Sequence, residues 1–197
     1  MSKERPSNPP SHDCLTFFQE FLKHPLQIGS VMPSSRFLEQ RLLKSSDLGS
    51  AGTLVELGSG TGGTTQAILR SMAPTARLLS IEVNPEFHRV ISRINDARLI
   101  AHHGNASELK DILSRYGLGA PDVIISGIPF STMSPIAGST ILATIADVLS
   151  NHGRFVAYQV SNRILSLCEP FMGMGQMEFE LFNIPPMRVF RWEKQVI

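Results

Sequence analysis

The sequence predicts an α/β fold: a seven-stranded mixed sheet, six strands parallel and one antiparallel, flanked by helices behind a short N-terminal helical extension. Three observations carry this expectation. Short apolar runs alternate with helical stretches from Thr53 onward. A glycine-rich turn, Gly58 to Gly63, follows the first of those runs. The last two runs are separated by little more than Pro185 and Pro186, which makes them an antiparallel pair closing an otherwise parallel sheet.

Taken in order, residues 1–11 are rich in Pro, Ser and charge and are expected to be disordered. Residues 12–50 are expected to form a helical extension covering the cofactor site. Leu15, Phe17, Phe18, Phe21 and Leu22 fall at helical spacing until Pro25. After the loop HPLQIGSVMP, Ser34 and Ser35 offer caps for a second helix through Phe37, Leu38, Leu42 and Leu43. The core, residues 51–197, then reads as the strand TLVEL, a helix Thr64–Met72, the strand ARLLSIEV, a helix Pro85–Ile94 and the strand ARLIAHH. A helix Ala106–Tyr116, the strand DVIIS, a helix Ile136–Leu149, the strand RFVAYQV and a helix Asn162–Pro170 follow, before the pair MEFELFNI and MRVFRW.

Composition narrows the function. A chain of 197 residues suits one catalytic unit. It has no apolar run of the roughly 18 to 20 residues a membrane span needs, and its opening lacks a signal-peptide core, so the expected location is the cytoplasm. Cys14 and Cys168, without paired Cys/His spacing, predict packing residues and no metal site. A net charge of +1 without a long basic block argues against a nucleic-acid partner.

The chemistry concentrates at strand ends. The turn Gly58-Ser59-Gly60-Thr61-Gly62-Gly63 sits between a strand and a helix, where a ligand can approach backbone N–H groups. It also satisfies G-x-G-x-x-G, which admits a nicotinamide or flavin dinucleotide. Glu56 weighs against that choice, because a carboxylate two residues before Gly58 meets a pyrophosphate unfavourably. It suits the ammonium and sulfonium of S-adenosylmethionine. Glu82, 24 residues after Gly58, can accept both ribose hydroxyls of either cofactor, or stand as a solvated strand-end carboxylate. Asn105 can meet an adenine edge or cap a helix, and Phe87 can face the adenine ring or the core. In the segment Ser126-Gly127-Ile128-Pro129-Phe130, Gly127 and Pro129 predict a stiff wall beside the transferred group. His102 and His103 read as an exposed strand end.

In this order, ELGSGTGG, IEVN, GNA and SGIPF resemble class I S-adenosylmethionine-dependent methyltransferases, with their Rossmann-like core. Within them, FLKHPLQIGSVMPSSRFL, ISGIPFSTM and MRVFRWEK resemble the bacterial phospholipid N-methyltransferases, which methylate phosphatidylethanolamine. The rRNA adenine dimethylases are more distantly similar. Their loop begins with Asn and carries a Tyr where this chain has Ser126 and Phe130, which counts against nucleobase methylation.

The resemblance implies that Ile28, Gly29, Ser30, Val31, Ser34 and Ser35 line the methionine end of the cofactor, with pure helix capping as the other reading of the two serines. It places Glu56, Gly58, Ser59, Gly60 and Gly62 around the cofactor body, Glu82 with Val83 and Asn84 at the ribose, Asn105 and Ala106 at the adenine, and Ser126, Gly127 and Ile128 beside the transferred methyl. Ser126 and Tyr158 are the candidate catalytic residues, with Gln159 and His24 as further candidates to orient an amine.

The expected product is S-adenosylhomocysteine. The expected partner is an amine-bearing phospholipid at a membrane surface, which implies peripheral attachment to the inner face of the membrane. Phe17, Phe18, Phe21 and Leu22 can meet that surface or cover the site; Met172, Met174 and Met177 can bend around acyl chains, and Arg188 and Arg191 can meet lipid phosphate. The alternatives are a methyltransferase of a soluble small molecule and an RNA adenine methyltransferase.

Overall fold

The structure is a computed structural model that describes residues 34–195. Its first element, α1 (Arg36–Ser46), starts where Ser35 caps it, the Ser35 hydroxyl accepting the Leu38 N–H at 3.2 Å. Leu38 and Leu42, one turn apart, are buried against the sheet, and Asp47 in the left-handed region (φ 50°) ends the helix.

The strands are β1 (Thr53–Leu57), β2 (Arg77–Glu82), β3 (Leu99–His103), β4 (Val123–Ser126), β5 (Arg154–Gln159), β6 (Gln176–Glu180) and β7 (Met187–Glu193). Between them run α2 (Gly63–Ser71), α3 (Pro85–Ile91), α4 (Leu109–Arg115), α5 (Pro135–Val148) and α6 (Arg163–Met172). The sheet order is β3-β2-β1-β4-β5-β7-β6. β7 pairs antiparallel with both β5 and β6, so β6 is parallel to the other five and only β7 is reversed. The fold class and the single reversed strand are those the sequence predicts.

Helices cover both faces of the sheet, which is why β1, β2 and β4 read as near-continuous apolar runs. On one face Leu38, Leu42, Ile68 and Leu69 from α1 and α2 pack on Leu54, Leu78 and Ile125. On the other, Ile112, Ile141, Leu142, Ile145 and Ile164 pack on Val55, Leu79, Ile124 and Phe155. Cys168 is buried in that second layer, where burial pushes its thiol up to about 12. From β1 the chain steps outward to β2 and β3, then returns to the other side of β1 as β4. The carboxyl ends of β1 and β4 therefore flank the reversal point, where open α/β sheets form a ligand crevice.

Most boundaries shift by one to three residues, the helix expected over Pro85–Ile94 ending at Ile91 among them, and three of the differences have a local cause. The expected helix from Ala106 is a 3-10 turn, Ala106–Glu108, before α4, because the Asn105 side chain accepts the Ser107 N–H at 3.0 Å and tightens the start. α6 runs past Pro170 to Met172, the ring removing a single backbone donor from the last turn, and Gly173 closes it. The strand expected to reach Ile184 stops at Glu180, whose carboxylate accepts the Phe182 N–H at 2.9 Å and turns the chain.

Candidate active site

Four loops meet at the carboxyl edge. The Gly58 N–H donates to the Ile81 carbonyl and the Gly127 N–H to the Leu57 carbonyl, both at 2.9 Å, so the loops after β1 and β4 continue the sheet's hydrogen bonding. Gly104 donates to the Glu82 carbonyl at 3.2 Å and brings in the loop after β3.

Glu82 is buried and joins two of these loops. One carboxylate oxygen accepts the Gly60 N–H and the other the Asn84 N–H, each at 2.9 Å. The reading of Glu82 as a solvated strand-end residue is thereby corrected. Each oxygen keeps a second acceptor direction. Burial raises the Glu82 pKa, opposed by the N–H groups of Asn84 and Gly60. Val83 accepts a hydrogen bond from the exposed His103 ring at 3.0 Å. Asn84 caps α3 by accepting from Glu86 and Phe87. Phe87 is half-buried on α3.

The glycine turn is built for left-handed backbone. Gly60 (φ 52°) would carry a Cβ into open space, whereas at Gly62 (φ 86°) a Cβ would lie 2.8 Å from the Ile91 side chain. Gly62 therefore fixes α2 against α3, and Gly60 leaves its side of the turn accessible to a ligand.

Glu56 lies deeper. One oxygen accepts from Thr65 at 2.6 Å and Ser80 at 2.9 Å; the other, like the buried Ser59 hydroxyl, has no hydrogen-bond partner among the described residues. Burial pushes the Glu56 pKa up to about 7, opposed by the hydroxyls of Thr65 and Ser80. Between the ordinary value of 4.5 and about 7 the fold retains a proton that the unfolded chain has released. Stability should therefore fall as pH rises through this window, by on the order of 3 kcal/mol in all, and level off above it. Urea melts at several pH values should show that decline in the wild type and a clearly shallower one in Glu56→Gln, where the raised Glu82 still contributes; parallel curves would exclude the assignment.

Tyr158 is half-buried beside Ser34 and Thr64, whose hydroxyls are 3.5 Å apart. Burial, reinforced by the Glu56 carboxylate, pushes its phenol up to about 12, so it is a neutral donor at physiological pH and no base. Gly127 packs against it: a Cβ there would lie 2.4 Å from the Tyr158 hydroxyl and 2.9 Å from the Gly58 carbonyl oxygen.

Other expected residues are engaged in the protein's own hydrogen bonds or buried. Ser126 is fully enclosed and its hydroxyl accepts the Ile128 N–H at 3.2 Å, so it shapes the loop rather than facing an acceptor. Gln159 is buried and donates to the Ile128 carbonyl at 2.6 Å, bracing the same wall. Ala106 is buried beneath the loop that Asn105 caps, and the Asn105 amide nitrogen remains available. Ser35 caps α1, and its own N–H donates to Asn183 at 2.9 Å. His102 is not an exposed strand end: it is buried, paired with the Tyr116 hydroxyl at 3.0 Å, and its pKa is lowered by burial. Ile28, Gly29, Ser30, Val31, His24 and the Phe17–Leu22 run lie outside the described residues.

Thr64, Thr65 and Ser80 were not legible as site residues. The two threonines directly after GTGG were the available signal, since the first turn of a helix behind such a loop faces the same ligand. Among the described residues, no cluster of three or more His, Cys, Asp or Glu is placed to hold a metal ion, and no helix is long and apolar enough to cross a membrane.

No family model matches the chain. It is 29% identical over 145 residues, 73% of this chain and 76% of the relative, to an ornithine lipid N-methyltransferase of Singulisphaera acidiphila. Its fold is similar to the 1,6-didemethyltoxoflavin-N1-methyltransferase of Burkholderia thailandensis, solved with bound S-adenosylhomocysteine, at TM-score 0.66 and 16% identity, covering 98% of this chain and 94% of that one. It is also similar to the N-methyltransferase NodS of Bradyrhizobium japonicum, at TM-score 0.66 and 12% identity, covering 80% and 94%. The fold is that of the methyltransferases just named, and the chain resembles the class I S-adenosylmethionine-dependent methyltransferases. Among them it is similar to a lipid N-methyltransferase.

Proposed function

We propose that the chain transfers a methyl group from S-adenosylmethionine to the amino group of a lipid, with phosphatidylethanolamine as the acceptor. The likeness over 145 residues to an ornithine lipid N-methyltransferase carries the lipid reading, and makes the amine of an ornithine lipid the second candidate acceptor.

The residues present fit the cofactor. The unmatched oxygen of Glu56 and the unmatched Ser59 hydroxyl are two buried polar atoms at the start of the glycine turn, the chemistry an amino-acid end with an ammonium satisfies. Glu82 offers its free acceptor directions to ribose hydroxyls, and the Asn105 amide nitrogen offers a donor to an adenine edge. When bound, S-adenosylmethionine supplies an electrophilic methyl on a positively charged sulfur.

The chain's own part is positioning and shielding. The wall of Gly127 and Ile128, braced by Ser126 and Gln159, would position the acceptor nitrogen to attack the methyl that the bound cofactor would supply, the new N–C bond replacing the C–S bond. The nitrogen must present a lone pair, and a partly desolvated crevice favours the neutral amine over the ammonium. The methylated ammonium that results releases one N–H proton to solvent. The Tyr158 hydroxyl orients the reacting groups as a neutral partner. Tyr158→Phe should lower kcat about tenfold and leave S-adenosylhomocysteine affinity unchanged, as steady-state kinetics and calorimetry will show; an unaltered kcat removes Tyr158 from the mechanism.

Transfer of labelled methyl to detergent-dispersed phosphatidylethanolamine and, separately, ornithine lipid tests the function. Label in either lipid fraction is expected; label in neither, with cofactor binding intact, overturns the lipid reading in favour of a soluble acceptor.

A further inference from the structure

We propose that the turn between β6 and β7, residues 181–186, inserts into an anionic lipid surface and seats the carboxyl edge of the sheet on it. This rests on the lipid-acceptor reading. Leu181, Phe182 and Ile184 are 69%, 73% and 73% exposed, three large apolar side chains on one short turn. Three polar groups of that turn point the other way. The Phe182 N–H is held by Glu180, and the buried Asn183 side chain accepts from the Ser35 N–H and donates to the Pro185 carbonyl, each at 2.9 Å. Apolar side chains outward with polar groups held inward suit shallow insertion at the headgroup–acyl boundary.

The rim of the patch fits phosphate. Phe37 of α1 packs on Phe182 with ring centroids 5.2 Å apart, and the Arg36 guanidinium lies 5.0 Å above the Phe37 ring. Arg188 lies 5.0 Å above Phe179, which is itself half exposed. The nearby carboxylates are already matched, since Arg41 binds Glu178 at 2.6 Å and Glu180 at 2.8 Å. Arginines stacked on aromatic rings beside an apolar tip complement anionic headgroups better than they complement an apolar protein groove.

Topology puts this patch beside the crevice. Because β6 and β5 both run antiparallel to β7, the turn after β6 lies on the same edge as the loops of Gly58 and Gly127. Three strand spacings, roughly 14 Å, separate β6 from β4 along that edge. The exposed Val160 after β5 and Ile136 at the start of α5 extend the apolar character along it. The same geometry corrects two expectations. Met172 and Met174 follow α6 back to the opposite edge, away from the crevice, as does Arg191, which pairs with Gln176 at the start of β6; Arg188, opposite Gln159, remains at the crevice edge.

The test uses the full chain carrying Phe182→Trp, because Trp192 is buried and gives a quiet background. With vesicles of phosphatidylglycerol and phosphatidylethanolamine, the new tryptophan should shift to the blue and be quenched by spin labels on the acyl chains. The variant Leu181→Ser/Phe182→Ser/Ile184→Ser should pellet with these vesicles about tenfold less than wild type, or worse, with S-adenosylhomocysteine affinity unchanged. A tryptophan signal indifferent to vesicles, or a triple variant that pellets like wild type, overturns the proposal. A drop in oligomer mass with vesicle binding intact assigns the patch to a second copy, and equally overturns it. Methyl transfer to detergent-dispersed lipid needs no bilayer, so the acceptor reading stands or falls separately.

Discussion

Glu82→Ala should raise the dissociation constant for S-adenosylhomocysteine about 100-fold or more and abolish measurable methyl transfer. The carboxylate is buried and accepts the Gly60 and Asn84 N–H groups at 2.9 Å. Alanine leaves both donors unmatched and deletes the acceptors proposed for the ribose. Hydrogen bonds to a charged group contribute about 1.5 to 3 kcal/mol each, and two such losses exceed the 2.7 kcal/mol or so that a 100-fold change represents. Glu82→Gln retains one acceptor oxygen but turns an NH₂ toward one of the two N–H donors, so it should fall between wild type and alanine. Titration calorimetry on folded variants is the measurement. An alanine variant within a few-fold of wild type would show that the carboxylate neither holds the loops nor meets the cofactor.

Gly127→Ala is the second substitution with a large expected effect. The added carbon would sit 2.4 Å from the Tyr158 hydroxyl and 2.9 Å from the Gly58 carbonyl. The phenol can tilt, but the Gly58 carbonyl belongs to the cofactor turn, so the loops after β1 and β4 must part. Overpacking of this kind costs about 1 to 3 kcal/mol, which lowers Tm by roughly 2 to 12 °C at this chain length. The parting also displaces the donors of the glycine turn, so cofactor affinity should drop at least about tenfold. Thermal unfolding and calorimetry together check this. An unchanged Tm with unchanged affinity would mean that the two loops yield freely and do not form a rigid wall.

Much of this was legible before any tertiary structure. The alternation of apolar runs and helical stretches, with the glycine turn behind TLVEL, determined a parallel sheet with that turn at its carboxyl edge, because strands buried on both faces must be apolar throughout and helices must return the chain. The short connection after MEFELFNI determined the reversed strand β7, since a few residues cannot make a parallel crossover. Glu56, Glu82 and the glycines stood out by their spacing, Glu56 two residues before Gly58 and Glu82 24 residues after it, each near the end of an apolar run.

What a residue's side chain faces was decided only by tertiary structure. Ser126 and Gln159 looked like groups that touch an acceptor, yet both turn into the loop they brace, because Ile128 offers its N–H and carbonyl to them. His102 and His103 are adjacent in sequence, but strand alternation buries the first on Tyr116 and exposes the second. Leu181 to Ile184 read as more strand until Glu180 captured the Phe182 N–H and turned them outward. Local sequence sets periodicity and cap chemistry, which are properties of a few neighbouring residues. The partner of a polar side chain comes from an element as much as 148 residues away, and only the assembled sheet brings that partner within hydrogen-bonding distance.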